Sequence, residues 1–135
     1  MSIMTWKEAY SVGIAEIDQQ HKKLIDLINQ LNSAMAAGKG KQILGSTLGE
    51  LIDYCATHFS KEERLFDLYE YPDASEHKDK HQKMTAKVLS LQSQFQEGKV
   101  TITLDVMDFL QQWLDKHILG TDKKYGPYLN SKGVL

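Results

Sequence analysis

The chain has 135 residues, 41% hydrophobic and 25% charged, with 16 Lys and Arg against 18 Asp and Glu for a formal net charge of -2. That is the size and composition of one globular domain around one core, which excludes two separately cored domains and any collagen-like, low-complexity or disordered chain. No basic excess serves phosphates or an anionic membrane, no apolar run approaches the ~20 residues of a bilayer span, and the opening MSIMTWKEAY lacks a secretory apolar stretch.

A cytoplasmic protein with no nucleic-acid partner and no membrane insertion is therefore expected. The single cysteine, Cys55, rules out an internal disulfide and any multi-cysteine metal site. Glycine and proline punctuate the chain at Gly13, at Gly38 to Gly40, around Pro72, at Gly98 and from Gly120 through Pro127, leaving four long stretches.

Residues 1–16 carry Trp6 and Tyr10 and read as an arm packed on the rest, because large aromatics near a terminus usually bury something. In the first long stretch Ile17, His21, Leu24, Ile28, Leu31 and Met35 fall at helical spacings of three and four. The second gives Leu44, Leu48, Leu51, Cys55, His58, Glu62 and Leu65, with Gly45 and Gly49 weakening its start. The third gives His77, His81, Met84, Val88, Leu91 and Phe95, preceded by Asp73 and Glu76 in the spacing of a capping box. The fourth gives Val106, Leu110, Trp113 and His117, with Thr103 as a candidate N-cap; the β-branched run at 100–103 is too short and isolated to build a sheet.

Stripes of this period pack helices at a shallow angle, and short connections place successive helices antiparallel. The expected architecture is all-α: one domain over 1–135, made of an N-terminal arm (1–16), an up-down-up-down antiparallel four-helix bundle (17–119) and a C-terminal tail (120–135).

All five histidines lie on the inward stripes, and Glu62 lies there with them. One histidine among apolar residues is ordinarily a hydrogen-bonded core residue, but five of five with a carboxylate are not. A buried Glu62 without a counter-charge would cost several kcal/mol, so the cluster calls for a cation or an unusual protonation state. In an antiparallel bundle, the start of helix one, the end of helix two, the start of helix three and the end of helix four share one end. His21, His58 with Glu62, His77 with His81, and His117 thus converge on one layer, and the two i,i+4 pairs each stack on one helical face. Asp122 follows His117 by five residues, which turns it about 140° away in a regular helix. Gly120 lies between them, so a π-bulge or a helix end is predicted there; a surface cap remains the alternative for Asp122.

In chain order these residues are His21, then His58-Phe-Ser-Lys-Glu62, then His77-Lys-Asp-Lys-His81, then His117-Ile-Leu-Gly-Thr-Asp122. Together with the opening Trp6-Lys-Glu-Ala-Tyr10 and the following residues to His21, they resemble the hemerythrin family, and within it the bacterial single-domain bacteriohemerythrins. The resemblance implies a four-helix bundle holding two iron ions in a non-haem di-iron centre that binds dioxygen reversibly. It makes His77, His81 and His117 ligands of one iron, His21 and His58 ligands of the other, and Glu62, Asp122 and an oxo or hydroxo group the bridges. Counting those ligands gives six on the first iron and five on the second, leaving dioxygen a place on the second. The implied role is oxygen transport, storage or delivery to an oxygen-consuming enzyme, without catalysis. Trp113, Leu114 and Ile118 match dioxygen-pocket positions and Phe59 neighbours the ligands, although ordinary core packing accounts for the same spacing. Leu114 is the candidate for controlling access. Tyr125 matches a family aromatic near the site, with an exposed tail residue as its alternative.

Other functions fit less well. A ferritin-like di-iron oxidase or peroxidase uses Glu-x-x-His motifs, which are absent. A metal-dependent hydrolase would need His-Glu-x-x-His, also absent, and Cys55 reads as a core residue rather than a nucleophile. An oxygen or redox sensor would have to act through a partner, since 135 residues hold no output domain. Outer helix faces without an apolar stripe point to a monomer.

Overall fold

The computed structural model describes the backbone of residues 4–98 and 104–135, and side chains within those ranges from Met4 to Gly98 and from Val106 onward. A short 3-10 turn, Glu8–Tyr10, precedes α1 (Ala15–Ala36), α2 (Lys41–Tyr69), α3 (Ala74–Gln96) and α4 (Leu104–His117); one π-helical turn, Ile118–Asp122, then leads into α5 (Lys123–Ser131). The protein is an all-α antiparallel four-helix bundle with a packed N-terminal arm. Among the described residues, no helix is long and apolar enough to cross a membrane.

Local chemistry sets the helix limits. Asp18, in the first turn of α1, accepts hydrogen bonds from Ser11 Oγ (2.5 Å) and the Val12 N–H (2.9 Å), fixing how the arm enters the helix. At the other end Gly38 takes φ +68°, and its N–H donates to the Met35 carbonyl. α2 stops at Glu70, which adopts the left-handed region (φ 54°) while the Tyr71 N–H reaches back to the Phe66 carbonyl. The Tyr128 hydroxyl donates to the Tyr69 carbonyl (2.6 Å), occupying one of the acceptors that a helix end leaves unpaired. The capping box expected at Asp73 does not form: its side chain makes no cap hydrogen bond, and its carbonyl instead accepts the His77 N–H (3.1 Å). Thr103 and the run at 100–103 lie outside the described residues.

α2 packs against both α1 and α3, and α1 also meets α4. Lys41 at the start of α2 donates to the Gln96 carbonyl at the end of α3 (2.8 Å), while Asp67 near the end of α2 pairs with Lys78 near the start of α3 (2.6 Å), so these helices run in opposite directions. Gly45, which weakens α2 by propensity, serves packing, because a Cβ there would lie 3.3 Å from the Phe95 ring. Met4 and Tyr10 of the arm are buried; the Met4 backbone exchanges two hydrogen bonds with Asn29, and the Tyr10 hydroxyl donates to Asp115 (2.6 Å).

The C-terminal segment differs from expectation. Residues 120–131 are no loose tail but helix, and Tyr125 and Leu129 are fully buried. Gly120 and Pro127 mark a change of helical geometry rather than an end: the π turn inserts one residue, after which Asp122, Tyr125 and Leu129 face inward at spacings of three and four. A main apolar core, with Leu24, Leu31, Leu48, Phe59 and Leu114, fills the bundle; a second, with Val12, Ile17, Phe66, Tyr71, Tyr125 and Leu129, closes one end.

α5 approaches the arm so closely that a Cβ on Gly126 would sit 2.3 Å from the Val12 carbonyl oxygen, whereas one on Gly120 would meet nothing. Gly126→Ala is expected to lower stability by about 1–3 kcal/mol in chemical denaturation, as overpacking against rigid backbone does. Gly120→Ala should stay within about 0.5 kcal/mol of wild type. Equal effects of the two substitutions would contradict this packing.

Candidate metal centre

Between the two apolar cores lies a buried polar layer. α1 supplies His21, α2 His58 and Glu62, α3 His77 and His81, α4 His117, and the π turn Asp122; none is more than 6% exposed. The i,i+4 pairs aim their side chains from one face, as their spacing requires. Asp122 joins them because the π turn forms: the Lys123 N–H donates to the Ile118 carbonyl five residues back, and Asp122 Oδ1 comes 3.0 Å from His117 Nε2. The surface-cap alternative for Asp122 is excluded by its complete burial.

Asp122 faces both halves of the layer. Its Oδ1 is 2.9 Å from His77 Nε2 and 3.0 Å from His117 Nε2, while its Oδ2 is 3.0 Å from His21 Nε2. Glu62 presents one oxygen, Oε1, to His58 Nε2 (3.2 Å) and His81 Nε2 (3.3 Å), and its Oε2 accepts the Tyr125 hydroxyl. His21 Nε2 and His58 Nε2 are 3.1 Å apart. Two donor groups result, His77, His81 and His117 with both carboxylates, and His21 and His58 with the same two carboxylates. Within each group the donor atoms lie within 4.8 Å of one another.

This donor set fits metal ions. The Nε2 atoms of His77, His81 and His117, Glu62 Oε1 and both Asp122 oxygens are buried without completing a hydrogen bond. Such orphaned atoms carry a large desolvation cost unless something absent from the polypeptide satisfies them. Donors bound at about 2.1 Å and in cis positions on one ion stand about 3 Å apart, which is the spacing seen here. Imidazoles and carboxylates without thiolate suit iron, manganese, cobalt or zinc.

Electrostatics agree. Burial pushes both carboxyl groups towards the neutral form, and for Glu62 the nearby Asp122 charge pushes the same way. Even so, His58 and His81 hold Glu62 well below the usual carboxylate range, and His117, His21 and His77 do so for Asp122. Burial depresses His58 and His117, but the facing carboxylates raise both above the ordinary imidazole value. Two buried carboxylates among imidazoles make a layer that asks for positive charge.

A second ring of residues orients the first. His58 Nδ1 lies 2.6 Å from Gln20 Oε1, and His81 Nδ1 lies 2.9 Å from Glu63 Oε2. An N–H at each Nδ1 donating outward leaves the Nε2 lone pair directed at the layer. His21 differs, since its Nδ1 is buried without a partner. Tyr125 is held as a neutral phenol far above its usual range by burial and by the Glu62 and Asp122 charges, so it donates to Glu62. Gln20 and Glu63 went unread in the sequence because polar residues beside ligands look like ordinary solvated positions; adjacency to His21 and Glu62 was the only signal.

The four candidate pocket residues divide. Phe59 stacks on His81 (centroids 3.9 Å apart, planes at 9°), and Trp113 stacks on His117 (5.0 Å, 17°), both against the three-histidine half. Leu114 and Ile118 are buried in the main core. Leu114 and Trp113, with Leu24, Ile28 and Cys55, border an apolar cavity of about 10 Å³. Burial pushes the Cys55 thiol up to about 12, leaving it an uncharged core residue.

Fold and layer together define a non-haem metal-binding four-helix bundle. A family model described as the hemerythrin HHE cation binding domain matches residues 12–129. A bacteriohemerythrin of Methylococcus capsulatus is 36% identical over 132 residues, covering 97% of this chain and 100% of that protein. A hemerythrin-like protein of Naegleria gruberi is 35% identical, with 99% and 95% covered. The crystal structure of a wild-type hemerythrin superposes with a TM-score of 0.89 at 35% identity, covering 93% of this chain and 97% of that one. The chain belongs to the hemerythrin family.

Removing an outer partner should loosen the metal without unfolding the bundle. Gln20→Ala and Glu63→Ala are each expected to weaken ferrous iron binding by about 10–100-fold while leaving the helical circular dichroism intact. Unchanged affinity in both would show that these contacts do not orient the histidines.

Proposed function

We propose that the chain binds dioxygen reversibly at a di-iron centre. In this reading His77, His81 and His117 hold one iron, His21 and His58 hold the other, and Glu62, Asp122 and an oxo or hydroxo group bridge them. The observation that carries it is the sharing of both buried carboxylates by two donor groups with three and two imidazoles. When bound, such a centre supplies two electrons to dioxygen and takes them back on release.

The polypeptide favours reversibility in three ways. Five imidazoles contribute no formal negative charge, so highly oxidised iron gains less support here than in carboxylate-rich di-iron oxidases. Leu114 and Ile118, at 1% and 0% exposure, with the rings of Phe59 and Trp113, keep water from the layer. Tyr125 keeps its proton and fixes one oxygen of Glu62. These features support a non-enzymatic oxygen-binding protein serving transport, storage or delivery to an oxygen-consuming enzyme. A monomer fits the scatter of exposed apolar side chains, since Ile43 and Leu68 lie near opposite ends of α2, Leu89 is on α3 and Leu119 is in the π turn.

Anaerobic loading with ferrous iron, followed by visible absorption through repeated cycles of air and vacuum, tests the reading. A band that rises and falls over several cycles is expected. Irreversible conversion to a ferric product on first exposure would instead indicate an oxidase, a peroxidase or a redox sensor acting through a partner. Leu114→Ala should raise the rate of conversion to the ferric state several-fold, because it enlarges the apolar cavity that Leu114 borders and loosens the packing three residues before His117. An unchanged rate would remove Leu114 from the control of access.

A further inference from the structure

The two large grooves beside the centre differ in charge. The one between α2 and α3, about 440 Å³, contains Glu63 and no lysine. The one between α3 and α4, about 310 Å³, carries Lys80, Lys83 and Lys116 with Phe109 and Trp113, and among the described residues no carboxylate lines it. That volume lies at the lower end of small-ligand sites, roughly 300–1,000 Å³. Its basic character stands out in a chain of net charge -2.

The lysines are available. Lys80, Lys83 and Lys87 share one face of α3 by their spacings of three and four. Lys87 Nζ lies 4.6 Å over the Phe109 ring. Among the described residues Lys80 and Lys83 pair only with Glu76 (3.9 Å) and Asp79 (3.0 Å), exposed pairs that water and salt weaken. Trp113 is partly exposed, and its ring stacks on His117, whose Nε2 faces the carboxylate layer. One ring therefore connects the groove to the centre.

We propose that this groove docks a reduced flavin mononucleotide, a planar aromatic ring bearing a phosphate, which returns electrons to the centre after it has become ferric. The partly exposed edge of Trp113 suits the ring and the lysines suit the phosphate. The inference rests on the di-iron reading above. In the step, the flavin hydroquinone loses two electrons and two protons to become oxidised flavin; the electrons reduce two ferric ions to ferrous, and the protons pass to solvent. A flavin suits acceptors that take one electron each, whereas a dihydronicotinamide delivers its pair as hydride.

Calorimetric titration of the iron-loaded full chain with flavin mononucleotide tests docking apart from dioxygen chemistry. Saturable binding of about one flavin per chain is expected, at least about tenfold weaker in the Lys83→Glu, Lys116→Glu double variant. Riboflavin, lacking the phosphate, should bind more weakly than the mononucleotide. Reduction of the ferric protein by the hydroquinone should slow in the double variant. Absence of saturable binding, or affinity unchanged by charge reversal, overturns the proposal. A protein that fails to cycle dioxygen yet binds flavin through these lysines upholds the groove and overturns only the reading of the centre.

Discussion

Two completely buried carboxylates, Glu62 and Asp122, each facing histidines from different helices, are the constraint around which the molecule is organised. Such a layer needs positive charge, from protonated imidazoles or from bound cations, and each orphaned donor would otherwise weaken the fold by a desolvation penalty. The apolar cores on either side raise that penalty by keeping water out, and the same exclusion strengthens attraction for any ion that binds. Stability and metal affinity are thereby linked, since whatever binds the folded layer and not the unfolded chain stabilises the fold.

The π turn is where this requirement overrides regular helix geometry. In an α-helix His117 and Asp122 point to different sides; one extra residue per turn aligns them and also rotates the following helix so that Tyr125 reaches Glu62 and Leu129 fills the end core. The segment after Gly120 is held in return by the arm, through Lys123 Nζ on the Ala9 carbonyl and Asn130 Nδ2 on the Gly13 carbonyl. Arm and terminal helix are thus the lid of the polar layer, and the close approach at Gly126 is the mark of that contact.

Much of this was legible in the sequence because period and polarity conflict there. Histidine and glutamate on stripes otherwise made of leucine and isoleucine, at positions that an antiparallel bundle brings to one end, announce a polar core layer before any coordinates. The five-residue gap from His117 to Asp122, with Gly120 inside it, left a π turn or a helix end open, and the structure takes the first. Three things were hidden. Gly120 and Pro127 are breakers by propensity, so the helical course of 120–131 depended on packing that no local signal carries. The absent side-chain cap at Asp73 turned on backbone geometry. Gln20 and Glu63 are partly exposed, and their role lies in hydrogen bonds to His58 and His81 rather than in any pattern.

The proposed centre requires one polar layer to hold two cations through two shared carboxylates. Anomalous diffraction at the iron edge from crystals of the iron-loaded protein measures this directly. Two iron peaks are expected within the layer, one beside His77, His81 and His117 and one beside His21 and His58, with Glu62 and Asp122 touching both. A single peak, or iron bound only outside the layer, would contradict it.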